Sequence, residues 1–324
     1  MRYRKLGTTG IEVSEIGYGA WGIGGAQWGG ADDDESIQAL HRAIDLGLNF
    51  IDTALAYGEG RSERLVGQVV RERSEAVRVA TKVPPKNRVW PAPEGIDLGE
   101  VFPPGYVTEC AETSLGNLGM DTVDLLQLHV WQDDWAGRDE LFEEVGELRS
   151  AGKIRAFGIS INDHEPANAL RLIETGGVDT VQVIFNVFDQ SPEDELLPAC
   201  RERGVGVIAR VPLDEGGLTG RIGPDTEFAE DDDFRAGYFR GDRKREVQER
   251  VQAIASDLGI EEDELAETAL RFILSNEAVS TVIPGMRTLR NVERNVAVSE
   301  RGALDGDQLE RLRANHRWVR NFYE

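Results

Sequence analysis

The feature that most constrains this chain is an alternation of two periods. Short apolar runs bounded by turn residues fall at Ile16–Ala20, Phe50–Asp52, Val77–Thr81, Val123–Leu128, Ala156–Ser160, Thr180–Phe185, Gly206–Ala209 and Ser280–Ile283. Between and after them lie segments with apolar residues at i, i+3 and i+4: Asp33–Leu46, Ser62–Arg71, Tyr106–Leu118, Asp139–Ala151, Pro166–Thr175, Glu193–Arg203, Lys244–Leu258 and Asp263–Leu274. Eight strand–helix units predict a parallel sheet closed into a (β/α)8 TIM barrel, one domain over residues 1–324. The open doubly wound sheet is the alternative. The glycines of Gly17–Gly25 do not set its phosphate-binding turn directly ahead of a helix.

A β-hairpin turning at Gly7–Gly10 is expected before the first barrel strand. Two connections are long. Pro84–Pro104 holds six of the twelve prolines, and Asp214–Arg243 is rich in glycine and acid. Both follow strands 3 and 7 of the barrel, so both belong to the C-terminal face, where barrel enzymes keep their chemistry. No low-complexity linker divides the chain.

Charge narrows the partners. The sequence has 59 acidic against 36 basic residues, a formal net charge of -23, and such a surface repels nucleic acid and anionic membranes. General solubility accounts for it. A sharper reading is adaptation to high salt, which a rise in thermal stability between low and molar salt would test. The absence of long apolar runs and of a signal-peptide-like start leads to the expectation of a soluble cytoplasmic protein. Cys110 and Cys200, each alone in a helix, suggest neither a metal site nor a disulfide.

The ends of the early strands carry the chemistry. The second ends at Asp52, the third at Lys82 and the fourth at His129, while Tyr57 follows the second within a short loop. Alone, such residues are more often a turn former, a solvated charge or a satisfied imidazole. In a parallel barrel these ends are neighbours on one rim, so four different polar groups converge.

This set, with DTALAYGEGRSE, ATK and DLLQLH around it, resembles the catalytic tetrad of the aldo-keto reductase superfamily. The likeness runs through GKIRAFGIS, PLDEGGLTG and IPGMRTLRNVERN, in family order over nearly the whole chain. It implies hydride transfer to a carbonyl. Tyr57 would then protonate the forming alkoxide, Lys82 would lower its pKa, Asp52 would hold Lys82 charged and aimed, and His129 would orient the carbonyl.

The resemblance also implies NADPH or NADP+, with NADH possible. Ser160, Asn162 and Gln182 match residues that hold the nicotinamide carboxamide, and Phe185 stands for the tyrosine that stacks on its ring. Arg210, Val211, Pro212 and Leu213 replace the family's Y-S-P-L. Arg210 either meets a cofactor phosphate or substrate anion, or pairs with a nearby acid such as Asp214. Gly216–Gly220, including Gly217, Leu218 and Gly220, matches the turn that approaches the pyrophosphate. Pro284, Gly285, Arg287, Thr288, Asn291 and Asn295 match the adenosine site, Arg287 facing a 2'-phosphate. Trp21 borders the cofactor and the carbonyl pocket. Trp90 and Trp131 are either pocket walls or packing residues. The tail HRWVRNFYE, with Trp318, Phe322 and Tyr323, folds over the site, packs on the barrel or meets a second subunit. Monomer and homo-oligomer both stay open.

Three activities fit: NADPH-dependent reduction of an aldehyde or ketone, the reverse oxidation of a sugar or polyol with NAD(P)+, or a cofactor-binding regulatory role like that of the potassium-channel β subunits.

Overall fold

The computed structural model describes residues 1–25, 28–228 and 233–320. Strands β1 (Tyr3–Lys5) and β2 (Glu12–Ser14) form an antiparallel hairpin. Strands β3 (Tyr18–Gly19), β4 (Phe50–Asp52), β5 (Arg78–Val83), β6 (Val123–Leu128), β7 (Ile154–Ser160), β8 (Thr180–Ile184), β9 (Gly206–Arg210) and β10 (Val279–Val282) follow in one sheet, in sequence order, every pair parallel. The two edges of this sheet meet. Gly17 N donates to Val282 O at 2.8 Å and Gly19 N to Pro284 O at 3.0 Å. A Cβ on Gly19 would lie 2.6 Å from Ile283 O, so the seam closes only without a side chain there.

Helices alternate with the strands: α1 (Asp33–Asp45), α2 (Arg61–Glu72), α3 (Leu98–Val101), α4 (Tyr106–Leu118), α5 (Asp139–Ser150), α6 (Leu170–Thr175), α7 (Leu196–Arg203), α8 (Phe234–Tyr238), α9 (Arg243–Leu258), α10 (Leu265–Leu274), α11 (Leu289–Arg301) and α12 (Gly306–Asn315). Helix α1 shows why. Asp32 caps it by accepting from Glu35 N at 2.8 Å, and Leu40, Ala43 and Ile44 turn one face inward. No helix among the described residues is long and apolar enough to cross a membrane.

Most bounds lie close to those read from the sequence, but the helix expected from Pro166 begins only at Leu170. Asn168 is taken by the loop, where its Oδ1 accepts from Asp133 N at 2.7 Å. The second and third N–H groups of α6, on Arg171 and Leu172, donate to the Asp133 carboxylate at 2.8 and 3.0 Å. That cap comes from a distant loop, which local periodicity cannot register.

Two cores result. The larger lies between strands and helices. The smaller joins Leu6, Ile11 and Val13 of the hairpin segment to Phe50, Ala80, Leu125, Ala156, Ile208 and Ile283. The hairpin thus plugs one end of the barrel, and only the opposite end is left for a site. At the C-terminus Trp318 packs edge-on against Phe188, with ring centroids 5.2 Å apart. This favours docking of the tail on the barrel as far as it is described, while Phe322 and Tyr323 lie outside the described residues.

Candidate active site

Residues two apart in a strand share a face. Two positions beyond Phe50, Ala80, Leu125 and Ile208 stand Asp52, Lys82, Gln127 and Arg210, so the apolar floor is succeeded by a polar layer. Lys82 Nζ donates to Asp52 Oδ1 at 2.5 Å, to Thr53 O at 2.9 Å and to Tyr57 OH at 3.2 Å. Lys82 and Asp52 are both buried. His129 follows β6, and its ring stands edge-on to Tyr57 with centroids 5.6 Å apart. The four residues expected to converge do so.

The Tyr57 loop is seated by close backbone contact. Gly58 has φ +62°, and a Cβ on it would lie 2.0 Å from Gly24 O. This draws the loop onto the turn Trp21–Gly24, where Trp21 stacks on Tyr57 at 6.2 Å and an interplanar angle of 28°. Trp90 covers the other side, edge-on to His129 at 5.9 Å. Phe234 joins Trp21 at 5.1 Å. The mouth is therefore aromatic.

Electrostatics assign protonation states. Burial pulls the Lys82 pKa down, but Asp52 and Tyr57 more than reverse this, so it ends raised and the ammonium is secure. Burial pulls His129 well below its ordinary value, and Lys82 and Arg210 add to the effect, so its imidazole is neutral at neutral pH. For Tyr57 the expectation of a lowered pKa is not met. Burial, joined by the Asp52 charge, pushes it up and outweighs the downward pull of Lys82 and Arg210. The resting group is a neutral hydroxyl next to a cation, a form able to give a proton.

Other expectations need correction. Phe185 is fully buried against Phe272, with ring centroids 5.6 Å apart, and offers no open face for a stacked ring. Trp131 is likewise buried, edge-on to Trp135 at 5.7 Å, so packing is its role. Arg210 does pair with an acid, but with Asp163 at 2.5 Å, and it also donates to Ile161 O at 2.9 Å. Asp214 is instead held by Arg243 at 3.0 Å and Tyr238 OH at 2.5 Å. Beside them, burial, reinforced by Asp214, pushes the Glu215 carboxyl up to about 8.

The residues present fit a nicotinamide carboxamide. Ser160 ends β7, and Asn162 follows it in the loop at the same end of the barrel. Asn162 spends its Nδ2 on Ala92 O at 3.2 Å and Glu165 Oε2 at 3.3 Å, while its buried Oδ1 has no partner among the described residues. Gln182 lies opposite Ser160 in the β7–β8 register. Its Nε2 donates inward to Asp52 Oδ2 at 2.8 Å, which leaves Oε1 for an outside donor. A hydroxyl and two amide oxygens suit a group with an NH2 and a carbonyl.

At the far end Arg287 lies half-buried, its stem against Gly22 and its Nη1 on Gly29 O at 2.7 Å. Thr288 caps α11 by accepting from Asn291 N at 3.3 Å. Asn291 and Asn295, four apart, share a face of that helix, Asn295 buried. Pro212, Leu213, Gly217, Leu218 and Gly220 lie on or beside the turn after β9, and Pro284 and Gly285 follow β10 at the barrel seam. No cluster of metal-ligating side chains occurs among the described residues. Sequence reasoning missed Gln127, whose signal was a polar residue inside the apolar run VDLLQL, two positions before His129.

The chain matches the Aldo/keto reductase family over residues 15–316. It is 33% identical over 300 residues to the aldo-keto reductase YhdN of Bacillus subtilis (strain 168), covering 89% of this chain and 85% of that protein. It is 30% identical over 322 residues to the NADH-specific methylglyoxal reductase of Escherichia coli (strain K12), covering 95% and 96% respectively. Among solved structures, the glycerol dehydrogenase AKR11B4 from Gluconobacter oxydans aligns with a TM-score of 0.76 at 29% identity, over 97% of this chain and 95% of that one.

Proposed function

The chain belongs to the aldo/keto reductase family of oxidoreductases, and from that premise we propose that it reduces a small aldehyde or ketone to an alcohol at the expense of NADPH. The observation that carries this reading is the contact of Tyr57 OH with Lys82 Nζ at 3.2 Å, Lys82 being paired in turn with Asp52.

A bound nicotinamide would supply the hydride, its carboxamide held by Ser160, Asn162 and Gln182. Neutral His129 donates a hydrogen bond to the substrate oxygen and sets its approach. Tyr57 gives its hydroxyl proton to the alkoxide as charge develops there, and Lys82 stabilises the phenolate left behind. Asp52 keeps Lys82 protonated and pointed at Tyr57. The rings of Trp21 and Trp90 narrow the mouth and displace water. A raised Tyr57 pKa favours the proton-donating direction. The likeness to a glycerol dehydrogenase supports the reverse oxidation of a polyol as the second reading. Arg287 supports NADPH over NADH, although one relative is named as NADH-specific.

Steady-state turnover of aldehydes, ketones, sugars and polyols, with NADPH oxidation and NADP+ reduction followed separately, tests these readings. Reduction should dominate. Tight cofactor binding without turnover in either direction would instead favour a regulatory role. Loss of a charge-assisted hydrogen bond in Arg287→Ala should lower the preference for NADPH over NADH by about tenfold or more. An unchanged ratio would remove Arg287 from the 2'-phosphate site.

A further inference from the structure

Asp52 has two oxygens, and Lys82 occupies only one of them. Oδ2 accepts from Gln127 Nε2 at 3.2 Å and from Gln182 Nε2 at 2.8 Å, and Gln182 Nε2 also reaches Gln127 Oε1 at 3.3 Å. Both glutamines are buried. The two N–H bonds of Gln182 are thereby spent inward, so its Oε1 is what it can offer to a ligand.

We propose that Gln127 and Gln182 are positioning residues that fix the Asp52 carboxylate and through it the Lys82–Tyr57 pair, and that Gln182 does so while its outward oxygen accepts from the cofactor carboxamide. The proposal rests on the reductase reading.

The physical reason lies in what a carboxylate does when only one oxygen is tied. It can turn about its last bond and carry Lys82 off Tyr57. A second cation on Oδ2 would stop the rotation but would compete with Lys82 for the negative charge. Two neutral amides fix the plane without that competition. They also disperse charge that otherwise acts on Tyr57, because the field of Asp52 pushes the tyrosine pKa up. Without them Tyr57 becomes a weaker acid.

Gln127→Met keeps the length of the side chain and removes the donor. NADPH affinity, read by fluorescence titration, should stay within about twofold, while kcat falls about 10-fold to 100-fold at nearly constant KM, the size of a lost hydrogen bond to a charged group. The alkaline limb of the kcat profile should move to higher pH. Gln182→Met should lower kcat and also weaken NADPH binding, since it loses the outward oxygen. Gln127→Glu adds a second pattern. Two carboxyls at this distance share a proton, so the introduced group donates to Asp52 at low pH and loses that ability as pH rises. Its activity should approach wild type in acid and collapse across its own titration. A merely structural role for Gln127 predicts that Gln127→Met lowers kcat by one constant factor at every pH, with the alkaline limb unmoved, and that result would overturn the proposal. So would a wild-type profile in Gln127→Met. A wild type that turns over no substrate removes the reductase reading and the relay together, whereas normal turnover with an insensitive Gln127→Met removes the relay alone.

Discussion

The barrel interior holds two layers made from the same strands, and they do opposite things. The lower layer, Phe50, Ala80, Leu125 and Ile208 resting on the hairpin's Leu6 and Val13, is buried and apolar. The upper layer, two residues on, is Asp52, Lys82, Gln127 and Arg210, and its groups are tied by hydrogen bonds and ion pairs. One step of strand periodicity separates a layer that holds the fold together from a layer that holds charge in place. Buried charge of this kind is costly unless every group is paired. A closed, plugged floor beneath it keeps water from reaching the ion pair from below.

The comparison predicts that damage to the two layers will be read by different instruments. Tyr57→Phe, above the upper layer, removes the proton donor and little volume. It should cut kcat by about 10²–10⁴-fold and leave the cofactor dissociation constant and thermal midpoint nearly unchanged. Unaltered kcat would dismiss Tyr57 as the acid. Leu6→Ala, in the lower layer, deletes a fully buried side chain from the plug. It should cost about 2–5 kcal/mol in denaturant unfolding, with kcat per folded molecule near wild type. If instead Leu6→Ala lowered kcat with little loss of stability, the layers would not be separable.

The division also explains what the sequence disclosed. Asp52, Lys82 and His129 stand out because each ends an apolar run, and a polar residue at a strand end has few reasons to be there. Gln127 obeyed the same logic one step deeper. It was hidden because a single amide inside a strand looks incidental until its partner, Asp52, is known to face it across the barrel. Aromatic residues were the least legible. Phe185 and Trp131 follow strands just as pocket residues do, yet their rings are claimed by Phe272 and Trp135, and that choice is made by helix and loop packing that no local pattern reports. Arg210 found an acid 47 residues away rather than the one four positions on. The alternation of the eight barrel strands with the helices between them was readable, since period and turn residues are local properties, whereas helices α3, α8, α11 and α12 were not assigned from periodicity.

The smallest expected effect is the one that separates the layers by charge alone. The lower layer contains nothing that titrates. Lys82 in the upper layer and Tyr57 directly above it both have pKa values raised by folding. A raised folded pKa means that the native state holds its proton more tightly than the unfolded chain does. The stabilisation is therefore complete below the unfolded values, about 10 for tyrosine and 10.4 for lysine, and is lost as pH climbs through the folded values. Thermal midpoints measured from pH 8 to the alkaline limit should fall in the wild type and fall less in Tyr57→Phe, while Lys82→Met should start lower because it strands the Asp52 carboxylate. Other tyrosines and lysines titrate in all three proteins, so the slopes must be compared with one another. The differences should amount to about a few degrees. Leu6→Ala should start lower and keep the wild-type slope. Parallel curves for all four proteins would mean that the upper layer does not contribute to stability through its charges.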